Sequence, residues 1–287
     1  MKIKPWLAFA LITTISWGVW GAFIEIPEKN GFPATLGYVV WALTMIIPAV
    51  IALNRIHWKL ETNKKAIFHG LLIGISGSAG QLILFQALRT GPAYLVFPIV
   101  SLSPLVTILL SILILKEKAS TKSWIGIVIA LIAIPLLSYQ PAATGQKFGF
   151  LWIFLALTVF LIWGIQAYCM KVANNHMMAE SIFFYMMMSG LALIPVALLM
   201  TDFGQPINWG FKGPYMAAGI QLLNSIGALF IVYAFRYGRA IIVSPLTNAG
   251  APVITIILSL IMYGVFPHSI ILVGMVLAVA AIFFLAD

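Results

Sequence analysis

Uncharged polar and aromatic side chains lie within long apolar stretches of this sequence, where burying them is costly. Trp17 and Trp20 are one helical turn apart, as are Trp163 and Gln166, so each pair faces one direction. Indole rings can stack on a planar or sugar-like molecule, and an amide can orient it. The two pairs predict the walls of a binding cavity; ordinary helix packing is the alternative.

Further polar groups extend this hypothesis to other apolar stretches. Ser78 and Gln81, together with Asn224 and Ser225, supply hydrogen-bonding groups within other apolar stretches, although such groups also join helices. Tyr94, Pro98 and Ser101 share one helical face, which Ile241, Pro245 and Asn248 repeat later in the chain. The predicted cavity residues are Trp17, Trp20, Ser78, Gln81, Tyr94, Ser101, Trp163, Gln166, Asn224 and Asn248.

Prolines within the apolar stretches are hinge candidates. A proline frees a backbone carbonyl and permits bending, which would serve a rocking motion; a static kink is the alternative. The four candidates are Pro98, Pro104, Pro245 and Pro252.

Residues able to perform covalent or metal chemistry are dispersed along the chain. The four histidines, His57, His69, His176 and His268, stand far apart in sequence, and Cys169 is the single cysteine. We therefore expect neither an enzyme nor a catalytic residue, a metal or a cofactor. Glu25, at the outer end of the first apolar stretch, is the candidate for proton coupling, with simple surface solvation as the alternative.

Composition identifies the elements that position these residues. Hydrophobic residues make up 62% of the 287 and charged residues only 8%, far below the roughly 25% of soluble domains. The apolar stretches approach the ~20 residues that a helix needs to cross a bilayer. Hydropathy and turn signals predict ten transmembrane helices, at 6–24, 33–53, 66–88, 93–115, 123–138, 150–172, 181–200, 214–235, 240–263 and 269–285.

Basic residues predict the orientation of these helices. With the N-terminus in the cytoplasm, twelve of the sixteen Lys and Arg residues fall on that side. Only Lys29, Arg89, Lys147 and Lys212 fall outside. This bias predicts that both termini are cytoplasmic, and it explains the net charge of +9 without a nucleic-acid partner.

An internal repeat is the strongest pattern in the sequence. A shift of 147 residues superposes Arg89 on Arg236 and Pro98 on Pro245; one inserted residue then superposes Pro104 on Pro252. Agreement of Arg, Gly and Pro in order is not expected by chance between two apolar stretches. The repeat predicts two five-helix domains, 1–140 and 148–287. Because each domain has an odd number of helices, the second is inserted upside down relative to the first.

Several short motifs resemble those of the EamA-type transporters in the drug/metabolite transporter superfamily. They are Ala87 to Ala93, Ser101 to Pro104, Lys116 to Lys118, Trp17-Gly18 and Trp163-Gly164. The chain departs from the family pattern at Lys116, where a glycine precedes Glu117 in the family. It departs again after Gly264, where Val265 replaces the glutamate. The second repeat has therefore diverged.

The resemblance implies a secondary transporter of a small metabolite, such as an amino acid, a nucleoside or a sugar. Alternating access is the expected mechanism, export the expected direction, and the bacterial inner membrane the expected location. A proton antiporter of drugs or organic cations is one alternative, and a receptor or scaffold that does not transport is another. The expected partners are the substrate and the lipid bilayer, and both a monomer and a homodimer remain open.

Overall fold

Helices form all the regular secondary structure that the structure describes. The computed structural model describes residues 4–91, 93–139, 149–264 and 266–285, without the side chains of residues 93–95, 98 and 263. The first half contains α1 (Pro5–Phe23), α2 (Glu25–Lys29), α3 (Ala34–Thr44), α4 (Ile46–Arg55), α5 (Lys64–Thr90), α6 (Ala93–Ser101), α7 (Ser103–Leu113) and α8 (Thr121–Leu137). The second contains α9 (Leu151–Ala173), α10 (Ala179–Ala192), α11 (Ile194–Leu199), a π-helical turn (Phe211–Tyr215), α12 (Met216–Tyr237), α13 (Ala240–Tyr263) and α14 (Ser269–Leu285).

Local sequence explains where several helices begin and end. The side chain of Asn63 accepts the backbone N–H of Ala66 at the start of α5, and Ser120 accepts that of Ser123 at the start of α8. Gly264 ends α13 with a φ of +65°, the left-handed conformation that glycine adopts without a Cβ penalty.

Three segments expected to be single helices are each interrupted once. The interruptions at Met45, Leu102 and Leu193 lie two or three residues before Pro48, Pro104 and Pro195, respectively. A proline has no N–H to bond the carbonyl four residues earlier, and its ring crowds that carbonyl. Each of the predicted segments 33–53, 93–115 and 181–200 is therefore helical with one break near a proline.

Most helical segments are suited to a bilayer. In the described residues, seven are long and apolar enough to cross one, and Ile99–Leu113, Thr121–Leu137 and Ser269–Leu285 are shorter apolar helices. Large apolar side chains also cover the outer surface: Leu199 is 87% exposed, Phe283 71% and Phe154 68%. Such a surface is stable only against lipid.

The last helices of the two halves, α8 and α14, cross in an antiparallel contact. Gly126 of α8 packs on Leu285 of α14, and Gly274 of α14 packs on Leu137 of α8. The two contacts are equivalent under the internal repeat. Gly274 follows Gly126 by 148 residues, and Leu285 follows Leu137 by the same number. Equivalent helices that run antiparallel are related by a two-fold axis perpendicular to them, so the halves are inverted relative to each other.

Two hydrogen bonds between the halves repeat the same symmetry. The hydroxyl of Thr107 in α7 donates to the carbonyl of Gly164 in α9, at 3.0 Å. The hydroxyl of Thr255 in α13 donates to the carbonyl of Gly18 in α1, at 2.9 Å. Both Trp-Gly motifs therefore place their glycine where a threonine of the opposite half approaches the backbone.

Candidate functional site

Two indoles tie the halves together at equivalent positions. Trp17 of α1 donates from Nε1 to the carbonyl of Asn224 in α12, at 3.3 Å. Trp163 of α9 donates in the same way to the carbonyl of Gly77 in α5, at 3.4 Å. A buried indole N–H needs an acceptor, and both find one on the backbone of the opposite half.

The same two indoles lie directly on glycines. A Cβ at Gly227 would come within 2.5 Å of the Trp17 ring, and a Cβ at Gly80 within 2.2 Å of the Trp163 ring. A ligand cannot enter between surfaces that already touch. For Trp17 and Trp163 the structure therefore favours helix packing over stacking on a ligand.

A cluster of uncharged polar groups lies where α1, α3 and α12 meet; we call it the central polar cluster. It comprises Trp20, Thr44, Gln221, Asn224 and Ser225. The Oε1 of Gln221 accepts the indole N–H of Trp20 at 3.0 Å and the amide of Asn224 at 3.5 Å. The hydroxyls of Thr44 and Ser225 are 3.0 Å apart. Gln221 and Ser225 are buried, so these bonds form in a low-dielectric environment.

The side-chain amide nitrogen of Gln221 takes no part in the bonds to Trp20 and Asn224. Oε1 accepts the hydrogen bonds from Trp20 and Asn224. Nε2 lies 3.7 Å from the position that a Cβ on Gly37 of α3 would occupy. One turn along α3, the buried indole N–H of Trp41 has no hydrogen-bond partner among the described residues. The cluster thus offers donors and acceptors without a formal charge, next to an indole with an unused donor.

The corresponding positions of the other half are occupied differently. Gln166, the repeat mate of Trp20, donates to the carbonyl of Ile73 at 3.1 Å. Ser78 is buried beside Gly190, whose carbonyl accepts the hydroxyl of Tyr38 at 3.1 Å. Gln81 is half-buried on α5. Gln166 thus bonds the backbone of another helix, whereas its repeat mate Trp20 bonds a buried side chain.

Two predicted cavity residues make hydrogen bonds to groups outside the central polar cluster. Ser101 accepts a hydrogen bond at 3.1 Å from Ser138, the residue after α8, within the first half. Asn248 donates to the carbonyl of Ser244 on its own helix, at 2.9 Å. The side chain of Tyr94 is outside the described part of the structure, as is that of Pro98.

The remaining hinge candidates differ between the halves. Pro104 follows the interruption between α6 and α7, whereas Pro245 and its neighbour Pro252 lie inside the continuous α13. Pro104 therefore lies beside a break between two helices, whereas its repeat mate Pro252 lies within a continuous helix.

Glu25, the candidate for proton coupling, lies at the surface. Its carboxylate pairs with Lys29 one turn later at 2.5 Å, and the two side chains are 63% and 62% exposed. An exposed pair of this kind contributes little and is screened by salt. The geometry favours surface solvation.

A polar contact between the halves, which we call the Glu117 latch, was missed from the sequence. The carboxylate of Glu117 accepts the backbone N–H groups of Ala240 and Ile241, at 3.2 and 3.1 Å. Arg239 donates to the carbonyl of Lys118. The Lys-Glu-Lys run could have signalled this contact, because an acidic residue stabilises a helix N-terminus.

The second predicted helix also contributes residues that sequence reasoning missed. Tyr38, Trp41 and Thr44 reach the interior from α3. Applying the 147-residue shift to this helix would have paired Tyr38 with Tyr185 and Pro48 with Pro195.

The histidines are less dispersed than the sequence suggested. The rings of His69 and His176 are 4.8 Å apart, at the end of the molecule where α5 begins and α9 ends. In the part of the chain described, no group of three His, Cys, Asp or Glu residues could hold a metal ion.

The helices, the lipid-facing surface and the inverted halves define a helical integral membrane protein. The model of the EamA-like transporter family matches residues 4–139 and again residues 150–286. The chain therefore belongs to the EamA-like transporter family, which confirms the resemblance seen in the motifs. Because residues 140–148 are outside the described ranges, the domain boundaries stay a prediction.

Two further comparisons show proteins to which this chain is similar. An uncharacterized protein of Methanocaldococcus jannaschii is 32% identical over 133 residues, which are 95% of that protein and 46% of this chain. A solved crystal structure of a protein superposes with a TM-score of 0.77, covering 96% of this chain and 95% of its own, at 17% identity. The second comparison shows that the fold is shared.

Proposed function

We propose that this protein is a secondary transporter that moves a small neutral or zwitterionic metabolite by alternating access. In this proposal the protein spans a bacterial inner membrane with ten segments, and both termini lie in the cytoplasm. The central polar cluster is the proposed substrate site, and export is the proposed direction.

The observation that carries this proposal is the position of the central polar cluster at the contact between inverted halves. Trp20 and Thr44 belong to the first half, whereas Gln221 and Ser225 belong to the second. A rocking of one half against the other must therefore change the site, as alternating access requires.

The chemistry of the central polar cluster favours an uncharged or zwitterionic substrate. Its amides, hydroxyls and indoles can bond polar groups in any of several orientations, and Trp20 or Trp41 can stack on a ring. An amino acid, a nucleoside or a sugar has this combination of groups. A proton antiporter of organic cations is the alternative, and it would require a carboxylate such as Glu25 to reach the transport path.

Counterflow in proteoliposomes tests the proposal. Vesicles loaded with excess unlabelled substrate should transiently accumulate the labelled substrate, for at least one member of a panel of amino acids, nucleosides and sugars. A channel would show no such counterflow. Failure of the entire panel, with and without ion gradients, would overturn the proposal; cation uptake that drives proton release would favour the antiporter.

Topology is tested separately with reporter cysteines beside Arg89 and Arg236 in a Cys169→Ser background. The proposed orientation predicts labelling from outside at the first site and from the cytoplasm at the second. Labelling of both sites from one side would contradict the orientation without affecting the counterflow result.

A further inference from the structure

A polar cleft of about 200 Å³ opens at the end of the molecule where α9 turns into α10. Its lining includes Glu61, Asn174, His176 and Arg236. The central polar cluster is built from other residues. Three side-chain atoms of this lining are buried and lack a hydrogen-bond partner among the described residues: Glu61 Oε2, Asn174 Oδ1 and His176 Nε2.

Glu61 is held firmly although one of its oxygens is unused. Its Oε1 accepts the backbone N–H of Met178 at 3.0 Å, and its carbonyl accepts the hydroxyl of Tyr185 at 2.8 Å. Its own N–H donates to Ser181 at 3.3 Å. These bonds connect the segment before α5 to α10 and hold the side chain of Glu61 at the cleft lining, with Oε2 buried and without a partner among the described residues.

The neighbours of Asn174 determine which atom of its side-chain amide is left without a hydrogen-bond partner. The side chain is only 9% exposed, and Nδ2 donates to the carbonyls of Met170 and Val232, at 2.9 and 3.0 Å. Both amide hydrogens are therefore used, and the remaining Oδ1 can only accept. A buried acceptor without a partner costs free energy that a ligand donor would recover.

His176 supplies the third acceptor. Its Nε2 is buried and has no partner among the described residues, and the backbone of Val172 acts on the ring by raising its pKa, as a carbonyl acceptor does. Burial, assisted by the charge of Lys65 and the neighbouring His69, lowers the pKa of His176 and keeps it neutral. A neutral ring that donates from Nδ1 accepts at Nε2.

Arg236 provides positive charge to the same cleft. One of its guanidinium N–H groups donates to the carbonyl of Met177 at 3.1 Å, which holds the side chain at the lining. Lys65 adds a second positive charge near His176. The cleft therefore combines three acceptors, one of them a carboxylate, with a guanidinium suited to a carboxylate ligand.

We propose that this cleft binds a free α-amino acid as a zwitterion, in addition to the substrate at the central polar cluster. The three N–H bonds of a primary ammonium match the three unpaired acceptors, and the ligand carboxylate pairs with Arg236. Glu61 belongs to the first half and the other three residues to the second, so the bound ligand links the halves at this end.

Calorimetric titration of the purified protein in detergent tests this site with three related ligands. A free amino acid should bind. Its N-acetyl derivative, which lacks the ammonium, should not bind, and its amide, which lacks the carboxylate, should bind more weakly. Equal binding of the amino acid and its N-acetyl derivative, or no binding of either, overturns the proposal.

Variants locate the binding site. Glu61→Gln retains the acceptor for Met178 while losing the charge, and it should weaken amino-acid binding roughly tenfold or more. The exposed Glu25→Gln is the matched control and should leave the affinity unchanged. Arg236→Gln should weaken binding of the amino acid but not of its amide.

Three results show whether the amino acid binds in the cleft, whether the cleft binds a metal instead, and whether only the transport function fails. Binding that survives Glu61→Gln but is lost in Gln221→Leu would place the amino acid in the central polar cluster and overturn the proposal. Zinc binding that depends on Glu61, without amino-acid binding, would make the cleft a metal site and overturn it as well. Failure of counterflow with intact, Glu61-dependent amino-acid binding would contradict only the proposed transport function.

Discussion

The carboxylate of Glu117 accepts the backbone N–H of Ala240 at 3.2 Å and thereby joins the end of α7 to the first residue of α13. It also accepts the N–H of Ile241, the next free donor of that helix. At the same end, Lys171 donates to the carbonyls of Phe235 and Gly238 where α12 ends, at 3.0 and 2.6 Å. Opposite charges thus complement both helix ends.

Removing the Glu117 latch should open this end of the protein. Ser244 is buried at 3% exposure in the second turn of the latched helix, so it can carry a reporter cysteine in a Cys169→Ser background. Loss of two charge-assisted bonds in Glu117→Ala should raise the cysteine labelling rate roughly tenfold. Glu25→Ala is the control, and an equal increase there would contradict a specific role for the latch.

The backbone of Lys116, the residue before Glu117, is strained, whereas that of its repeat mate Gly264 is not. Lys116 has a φ of +53°, close to the +65° of Gly264. A glycine at this position would form a left-handed helix cap without a Cβ penalty; after Lys116, the N–H of Glu117 bonds the carbonyl of Ser111 at 3.1 Å.

Lys116→Gly should consequently raise the free energy of unfolding by about 1 kcal/mol, and Gly264→Ala should lower it by about as much. Reversible unfolding in mixed micelles measures both. Lys118→Gly changes the same charge outside the left-handed region and should give no gain. An equal gain from both lysine variants would refute the strain argument.

Close approach at the Trp-Gly motifs predicts a second set of stability effects. A Cβ on Gly164 would lie 2.4 Å from Val106, and one on Gly18 would lie 2.5 Å from Ile254. Each Gly→Ala change should cost about 1–3 kcal/mol, as overpacking does. Gly219→Ala, which meets nothing within 4 Å, should be tolerated; a comparable loss there would point to helix propensity instead.

Transport should depend on the hydrogen bonds of the central polar cluster. Gln221→Leu leaves Trp20 and Asn224 without their shared acceptor, so we expect the counterflow rate to fall roughly tenfold or more. Trp20→Phe keeps an aromatic ring and should cause a smaller loss. Gln86→Leu, a half-buried glutamine beside an apolar cleft, is the control. Unchanged counterflow in Gln221→Leu would remove the cluster from the transport path.

Stability should fall in mildly acidic solution because of His176. Its pKa is lowered in the folded protein by burial and then by Lys65 and His69, whereas Glu61 and the Val172 carbonyl act in the opposite direction. Arg236 lines the same cleft. The unfolded chain therefore takes up the proton first, near pH 6.5, and the stabilisation present above that pH is lost as the pH falls toward the folded-state pKa.

His176→Gln should reduce this loss, as seen in thermal unfolding midpoints compared between about pH 7.5 and about pH 5.5, on either side of the ordinary histidine pKa. His268→Gln, on an exposed residue, should behave like the wild type. A pH response that both variants share would assign it to other groups.

The sequence by itself determined the class of the protein, because apolar length and the order of Arg, Gly and Pro residues depend on position along the chain alone. The Trp-Gly motifs and the 147-residue shift led to the family and to inverted halves. They did not distinguish an indole that packs on a glycine, like Trp17, from one that bonds a buried amide, like Trp20.

Only the tertiary structure decided which polar groups meet. Thr44 meets Ser225 across 181 positions of sequence, and Glu61 meets Met178 across 117. Whether a buried donor or acceptor is satisfied depends on neighbours that come from distant helices, and hydrophobic periodicity carries no information about them. The central polar cluster, the Glu117 latch and the polar cleft therefore emerged only when the helices were packed.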